Sequence, residues 1–324
     1  MLMICMIFSL MAASTSALPF VVFHGLQENC YSKGVKNFTT NLSKWSGVQG
    51  HCIEIGNGKW DSWFMSLEKQ VDIACEKVKT MRELGEGYSI VGFSQGNLVG
   101  RGVIEFCDGA PPVKNFISLG GPHAGEASVP FCLTEVLCKL VARLIKPAVY
   151  SKFLQNHLAP AEYIKIPTDI DDYMGVCKFL PKLNNEIAGQ RNSTYKQRFA
   201  SLQNLFERDA ILIPKETSLF GYYEEGSWST ILPAQKTKLY IEDWIGLRTL
   251  DEAGKVKFIT LPGRHLKISL SEMKKYVLPY FKDDETTATL ETTDTSRVKS
   301  SFLIWTSIKK AIEKLENLLI KTPK

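Results

Sequence analysis

One serine stands between two glycines in the segment YSIVGFSQGNLVG, residues 88–100. Gly92 precedes Ser94 by two positions, and Gly96 follows it by two. At a very sharp turn from a strand into a helix, the neighbouring backbone passes so close that larger side chains at those two positions would collide. The segment therefore predicts a nucleophile elbow, with the Ser94 hydroxyl held at a sheet edge beside a helix amino terminus. The alternative interpretation is a tight structural turn.

The candidate base for this serine lies near the end of the chain. A serine hydroxyl is a poor nucleophile until a base accepts its proton and a carboxylate orients that base. At such an elbow the three groups follow the order serine, carboxylate, histidine. Four of the five histidines precede the serine, follow it closely or lie in a helical region: His24, His51, His123 and His157. His265, in a loop beyond a strand-like segment, is the predicted base, and a solvated loop histidine is the competing interpretation.

Three carboxylates between the serine and this histidine could orient the base. Asp209 lies where an apolar segment meets a loop, Asp243 lies inside a strand-like segment, and Asp251 lies in the turn-like LDEAG. The residues alone leave the three open, with Asp209 as the first candidate.

Two backbone N–H groups are needed to hold the oxyanion that forms when the serine attacks a carbonyl. Gln95 follows the nucleophile and supplies one of them. The second comes from the loop after an early strand, which here is HGLQ, and Leu26 is the predicted donor. Because no two cysteines have the C-x-x-C spacing, we expect no zinc site, and the chemistry requires no cofactor.

Strand-like and helix-like segments alternate along the first part of the chain. The strand-like segments are residues 19–25, 52–56, 88–92 and 113–121, and the helix-like ones are residues 63–84 and 97–106. Strands that are apolar throughout and alternate with helices predict a mostly parallel sheet covered on both faces.

The pattern changes in the second part. Residues 131–206 contain helical stretches and loops without a confident strand, which predicts a helical insertion over the carboxyl edge of the sheet. Strand-like segments return at 238–246 and 256–263. A polar, Thr-rich linker over 282–297 precedes an amphipathic helix over 298–324. We expect that helix to pack on the catalytic domain or a second subunit, or to make a peripheral membrane contact.

The amino terminus suggests secretion. An apolar run followed by small residues predicts a signal peptide over 1–17 and a catalytic domain over 18–281, although a short buried helix is the alternative. Sequons at Asn37, Asn41 and Asn192 suit this route. The net charge of +5 comes from scattered residues without a basic stripe, so we expect no nucleic-acid partner.

Eight motifs together resemble those of the palmitoyl-protein thioesterases, a family of lysosomal α/β-hydrolases. The likeness covers about residues 19–281 and is carried by FHGLQENC, VGFSQGN, FISLGGPHAG, AVYSKFLQNHLAPAEYIKIP, NSTYKQRF, RDAIL, FGYY and GRHLKIS. Their order and spacing are more specific than any single motif. The resemblance implies an α/β-hydrolase fold and marks Ser94, Asp209 and His265 as the triad, with Leu26 and Gln95 at the oxyanion positions.

The resemblance also implies a disulfide framework. Cys75 with Cys107, and Cys132 with Cys138, match family disulfides. Where the family often has two adjacent cysteines, this chain has Cys30 followed by a tyrosine, so we expect Cys30 to pair with Cys52 and Cys177 to stay free. Asn192 lies at a family glycosylation position. Two further departures are Asn97, where a glycine is usual, and Arg264, where an aspartate is usual.

The activity implied by the resemblance is hydrolysis of long-chain acyl thioesters. Its substrates would be fatty acyl chains on cysteines of proteins or peptides, and its location the lysosome, a vacuole or the extracellular space. Two alternatives remain: a lipase or carboxylesterase that acts on oxygen esters, and a catalytically silent secreted lipid-binding protein of the same fold. Nothing in the sequence indicates the oligomeric state.

Overall fold

The computed structural model describes residues 18–128, 144–200, 204–207, 212–260 and 265–281. The predicted signal peptide, the polar linker, the carboxyl-terminal helix and the Cys132–Cys138 pair lie outside these residues. No helix among the described residues has the length and apolar character that crossing a membrane requires.

A six-stranded sheet forms the centre of the fold. Its strands are β1 (Phe20–Phe23), β2 (Gly50–Cys52), β3 (Tyr88–Phe93), β4 (Val113–Leu119), β5 (Asn204–Glu207) and β8 (Val256–Phe258). The strand order is β2-β1-β3-β4-β5-β8, and every neighbouring pair is parallel. Two further strands, β6 (Tyr222–Tyr223) and β7 (Ile231–Leu232), form a separate antiparallel pair.

Helices pack on both faces of this sheet. The helices are α1 (Lys33–Ser46), α2 (Asp61–Phe64), α3 (Leu67–Thr80), α4 (Gly96–Phe106), α5 (described over 144–149), α6 (Lys152–His157), α7 (Ile170–Val176), α8 (Leu180–Leu183), α9 (Ser193–Ala200), α10 (Lys238–Ile241), α11 (Leu247–Glu252) and α12 (Leu270–Tyr276).

Alternate residues of β1 belong to two different apolar clusters. Val21 and Phe23 pack with residues of α3 and α4, whereas Phe20 and Val22 pack with residues of α1 and α12. Successive side chains of a strand point to opposite faces, so each cluster covers one face of the sheet. The predicted α/β-hydrolase fold, a parallel sheet between two helical layers, is confirmed.

Three predicted elements differ from the structure. The second strand lies at Gly50–Cys52 rather than at 52–56. The helix predicted over 63–84 is divided, because the Ser66 side chain accepts a hydrogen bond from the Lys69 N–H and starts α3 anew. The insertion predicted to extend to 206 ends earlier, because β5 lies between β4 and β8 in the sheet.

The strand predicted over 238–246 is wrong. Residues Lys238–Ile241 form α10, whose first turn is capped by the Thr237 side chain, an acceptor for the Tyr240 N–H. Asp243 then adopts a left-handed backbone conformation with φ of 51°. Within the described residues 144–200 the structure contains helices and no strand, as predicted for the insertion.

Two disulfides tie the first part of the chain together. Cys75–Cys107 joins α3 to the end of α4, and Cys30–Cys52 joins the loop after β1 to β2. Both agree with the expected pairings. Cys177 is a free, buried thiol that donates a hydrogen bond to the Glu162 carbonyl at 3.1 Å.

Candidate active site

The segment around Ser94 has the geometry of an elbow. Ser94 directly follows β3. Its φ of 49° lies in the left-handed backbone region, which residues other than glycine rarely adopt. A Cβ atom on Gly92 would lie 2.7 Å from the Asn97 Cα, and one on Gly96 would lie 2.3 Å from the Phe23 carbonyl oxygen. Both contacts are too short for real atoms, so the predicted collision explains the two glycines.

Hydrogen bonds hold the strained elbow against the end of β4. The Ser94 N–H donates to the Leu119 carbonyl at 2.9 Å. The Asn97 side-chain amide donates to the carbonyls of Ser94 and Leu119 at 3.0 and 3.1 Å. The Asn97 side chain therefore adds two contacts to the turn.

His265 reaches the serine from the loop after β8. Its Nε2 atom lies 3.0 Å from the Ser94 Oγ atom, a hydrogen-bond distance across 171 positions of sequence. The imidazole ring is half-buried. This contact gives the hydroxyl a proton acceptor, as an activated serine nucleophile requires.

The other four histidines contact partners other than Ser94. Those partners are the Gly25 carbonyl and Glu54 carboxylate for His24, Glu83 for His51, the Ser118 hydroxyl for His123 and the Phe153 carbonyl for His157. Burial, together with the Arg101 charge, holds the pKa of His123 well below its usual range, so its ring is neutral.

Asp209 lies outside the described residues, two positions after β5 ends at Glu207. The two rival carboxylates are engaged elsewhere. Asp243 accepts hydrogen bonds from the Arg248 N–H and the Thr249 hydroxyl at 2.9 and 2.6 Å. Although burial raises the pKa of Asp243, hydrogen bonds from Thr249 and Lys196, together with the Lys196 charge, hold this pKa below its usual value.

Asp251 accepts a hydrogen bond from the Tyr240 hydroxyl at 2.7 Å. Like Asp243, it stabilises the segment around α10 and α11. Neither aspartate has a described contact with His265, which leaves Asp209 as the first candidate for the third member of the triad.

The two proposed oxyanion donors lie on neighbouring loops. A Cβ atom on Gly25 would lie 3.2 Å from the Ser94 Cβ, so the loop that carries Leu26 packs directly on the elbow. Gln95 precedes α4 and is 2% exposed. Its side chain donates from Nε2 to the Ser62 carbonyl at 2.8 Å and accepts from the Tyr163 hydroxyl at 3.2 Å.

The sequence analysis does not single out Ser62, and it includes Tyr163 only within the motif AVYSKFLQNHLAPAEYIKIP, without a role of its own. Ser62 contacts Gln95 across 33 positions of sequence, and Tyr163 contacts it across 68. No motif or spacing pattern in the sequence indicates contacts over such separations. A buried serine and a buried tyrosine hydroxyl are visible as such only in three dimensions.

Comparison with known proteins adds an independent line of evidence. A family model described as palmitoyl protein thioesterase matches residues 19–265. The chain belongs to this family. A palmitoyl-protein thioesterase 1 of Caenorhabditis elegans is 34% identical over 281 residues, which is 82% of this chain and 93% of the relative.

Two further relatives come from other organisms. A palmitoyl-protein thioesterase 3 of Dictyostelium discoideum is 35% identical and aligns over 71% of this chain and 78% of its own. A protein of Drosophila melanogaster named lysosomal thioesterase PPT2 homolog is 29% identical over 79% of this chain and 88% of its own. The match to the family model spans both Ser94 and His265.

Proposed function

We propose that this palmitoyl protein thioesterase family member removes palmitoyl and similar long acyl groups from S-acylated cysteines of proteins or peptides. The observation that carries the proposal is the 3.0 Å contact between the Ser94 hydroxyl and the His265 ring, in a chain whose relatives are named thioesterases. Ser94, His265 and Asp209 form the proposed triad, and the N–H groups of Leu26 and Gln95 form the proposed oxyanion hole.

The reaction has two halves. Ser94 Oγ attacks the thioester carbonyl carbon while His265 Nε2 accepts the hydroxyl proton, and the two N–H groups hold the oxyanion. The C–S bond then breaks, the cysteine sulfur takes the proton from His265, and an acyl-serine remains. Water attacks this ester with His265 again as base, and the fatty acid leaves as Ser94 regains its proton. Asp209 keeps the imidazole oriented throughout.

The helical insertion is the proposed source of the acyl-chain surface. Each methylene removed from water contributes about 0.8 kcal/mol, so a long chain can bind with useful energy. Among the described residues of the insertion, Leu144 and Phe153 are 71% and 68% exposed. Exposed apolar side chains of this size offer contacts to a hydrocarbon chain.

A lysosomal or secretory location agrees with the fold. Two disulfides require an oxidising compartment, and the Drosophila relative carries a lysosomal name. Asn37 and Asn192 are exposed, and Asn41 is partly exposed one turn after Asn37 on α1. We propose these three sequons as glycosylation sites and residues 1–17 as the signal peptide.

One assay separates the proposal from its alternatives. The protein is given a peptide with an S-palmitoyl cysteine and, in parallel, the matched peptide with an O-palmitoyl serine. We expect kcat/KM to be at least about 10-fold higher for the thioester. A higher value for the oxygen ester would identify a lipase or carboxylesterase. No turnover of either, with no labelling by a fluorophosphonate probe, would identify a silent lipid-binding protein.

A further inference from the structure

The two loops that carry the proposed oxyanion donors meet at one residue of α2, Ser62. Its Oγ atom accepts a hydrogen bond from the Gln27 N–H at 2.9 Å, next to Leu26. Its carbonyl oxygen accepts the bond from Gln95 Nε2 at 2.8 Å. The same hydroxyl donates to the Lys59 carbonyl at 2.8 Å, so its rotation is fixed. Ser62 is 2% exposed, and water does not compete for these bonds.

Both loops have strained backbone where Ser62 supports them. Gln27 and Ser94, neither of which is glycine, have φ values of 62° and 49°. Residues in sparsely populated conformations cost about 1–3 kcal/mol each and persist only where the surroundings hold them. The bond from the Gln27 N–H to Ser62 supports the first loop, and the bond from the Gln95 side chain supports the second.

The far end of the Gln95 side chain is held as well. The Tyr163 hydroxyl, from the insertion, donates to Gln95 Oε1, and Tyr163 is 7% exposed. With a partner at each end, the Gln95 carboxamide cannot change rotamer without leaving a buried polar group unpaired. The backbone N–H of Gln95 is thereby held in one direction.

We propose that Ser62 and Tyr163 are positioning residues that set the separation and direction of the Leu26 and Gln95 N–H groups. This inference rests on the proposed function. Donors stabilise the oxyanion only at about 2.7–3.1 Å, so a small shift of either loop weakens them in the transition state more than in the bound substrate. Loss of support is therefore expected in kcat rather than in KM.

The test compares Ser62→Ala with Ser66→Ala. The control serine caps α3 four positions later, where it accepts from the Lys69 N–H, so its loss destabilises the same region without touching Gln27 or Gln95. On an S-palmitoyl peptide, Ser62→Ala is expected to lower kcat about 10–100-fold, less than the loss of a whole donor, with KM within about 2-fold. Ser66→Ala is expected to lower the melting temperature and leave kcat unchanged.

A transition-state analogue gives a readout that a purely structural role would not move. A palmityl trifluoromethyl ketone adds to Ser94 and places an oxyanion between the two donors. Its inhibition constant should rise in Ser62→Ala by the same factor by which kcat/KM falls, and stay unchanged in Ser66→Ala. An unchanged inhibition constant in a folded Ser62→Ala protein would overturn the inference.

Tyr163→Phe provides a second variant that keeps the buried ring. It should lower kcat several-fold with KM unchanged. If Ser62→Ala does not fold, Tyr163→Phe becomes the deciding variant, and a wild-type kcat in it would overturn the proposal. Ser94→Ala distinguishes the two levels of inference. An inactive Ser94→Ala beside a fully active Ser62→Ala removes only the positioning role, whereas an active Ser94→Ala removes the proposed function itself.

Discussion

The two halves of the described chain are stabilised in different ways. Residues 18–128 contribute β1 to β4, helices of up to 14 residues and both disulfides. Residues 144–281 contribute β5 and β8, of four and three residues, and fully described helices of only four to eight residues. Both halves contribute side chains to the two main apolar clusters. The described disulfides lie in the first half, whereas the second half is built from shorter elements.

Buried polar groups also attach the second half to the first, in addition to the shared apolar clusters and the pairing of β4 with β5. Arg101, on α4, is fully buried and donates to the Glu105 carboxylate, the Asn184 side chain and the Leu183 carbonyl at 2.8 to 3.3 Å. Asn184 in turn donates to the His123 carbonyl at 2.9 Å. Such contacts depend on every partner being present, whereas an apolar core tolerates changes of shape.

The candidate active site contains groups from both halves. Ser94 and both proposed oxyanion donors belong to the first half, and His265 belongs to the second. We therefore expect the first half to preserve the elbow under strain, and the contacts between the halves to determine whether the base reaches it.

The largest expected effect comes from removing one group from each half. Ser94→Ala and His265→Ala should each lower kcat by about 10⁴-fold or more, and the double variant should be little worse, because the groups act as a unit. Melting temperatures should stay close to that of the wild type. More than a few per cent of wild-type activity in purified Ser94→Ala would show the triad to be wrong.

The next effect tests the buried polar contacts between the two halves, those of Arg101 with Asn184 and Leu183, which we call the polar joint. Burial already raises the pKa of Glu105 to about 7, with Arg101 beside it. Arg101→Met leaves the Glu105 carboxylate buried without its partner, so we expect a loss of about 3–5 kcal/mol in the free energy of unfolding, measured with urea. The double variant with Glu105→Met should recover a large part of it.

The control for the polar joint is an exposed ion pair. Lys182 and Glu68 lie 2.9 Å apart with side chains 42% and 60% exposed. Lys182→Met should cost less than about 1 kcal/mol. If Arg101→Met costs no more than this control, the buried network does not stabilise the second half.

A third prediction concerns the first half. The Cys75–Cys107 disulfide joins residues 32 positions apart, so replacing both cysteines by alanine should cost about 3–4 kcal/mol in the chain-entropy view. Replacing Cys30 and Cys52, 22 positions apart, should cost slightly less. Peptide mapping without reduction checks the pairing, and alkylation of Cys75 or Cys107 in the unreduced protein would contradict it.

A fourth prediction uses pH to probe another buried polar contact between the halves, that of Glu162 with Leu67. The Glu162 carboxylate, 1% exposed, accepts a hydrogen bond from the Leu67 N–H at the start of α3 at 2.5 Å. Burial raises the pKa of Glu162 to about 7, from 4.5. The unfolded chain therefore releases this proton at lower pH than the folded protein, so the stability that Glu162 contributes is fully present below pH 4.5 and is lost as the pH rises through about 7.

Glu162→Gln removes this titration. Between pH 4.5 and pH 8, the wild type should lose up to about 3 kcal/mol more than this variant, measured by urea unfolding at each pH. Glu76→Gln, at a carboxylate that is 74% exposed, is the control and should follow the wild type. Equal pH profiles for wild type and Glu162→Gln would contradict the assignment.

The smallest effect is expected outside both halves. Deleting residues 282–324 should leave turnover of a soluble thioester nearly unchanged, since Ser94, Asp209 and His265 all precede the linker. If the terminal helix binds membranes, the full-length protein should co-sediment with anionic liposomes and the truncated protein should not. Equal sedimentation would exclude that role, and insolubility of the truncated protein would show that the helix packs on the domain.

Features set by local sterics were readable from the sequence. Gly92 and Gly96 had to be small because of backbone within a few positions or one strand away, and the apolar runs of β1, β3 and β4 had to be strands buried on both faces. The order rule along the chain was enough to select His265, which lies 3.0 Å from Ser94 in the structure.

Features set by distant partners were not readable. Residues 238–246 have apolar and aromatic side chains typical of a strand but form a helical turn, because the Thr237 cap and burial of Leu239 and Ile245 outweigh that pattern. The four residues of β5 form a strand only because β4 and β8 flank them.

The sequence by itself therefore determined the elbow, the candidate base and the α/β class, since these depend on local sterics, on periodicity and on the order of residues along the chain. Only the tertiary structure decided which buried polar groups find each other. Ser62 with Gln95, and Arg101 with Asn184, are 33 and 83 positions apart. Their pairing follows from the low tolerance of a buried interior for unpaired donors and acceptors, a condition that exists only once the chain has folded.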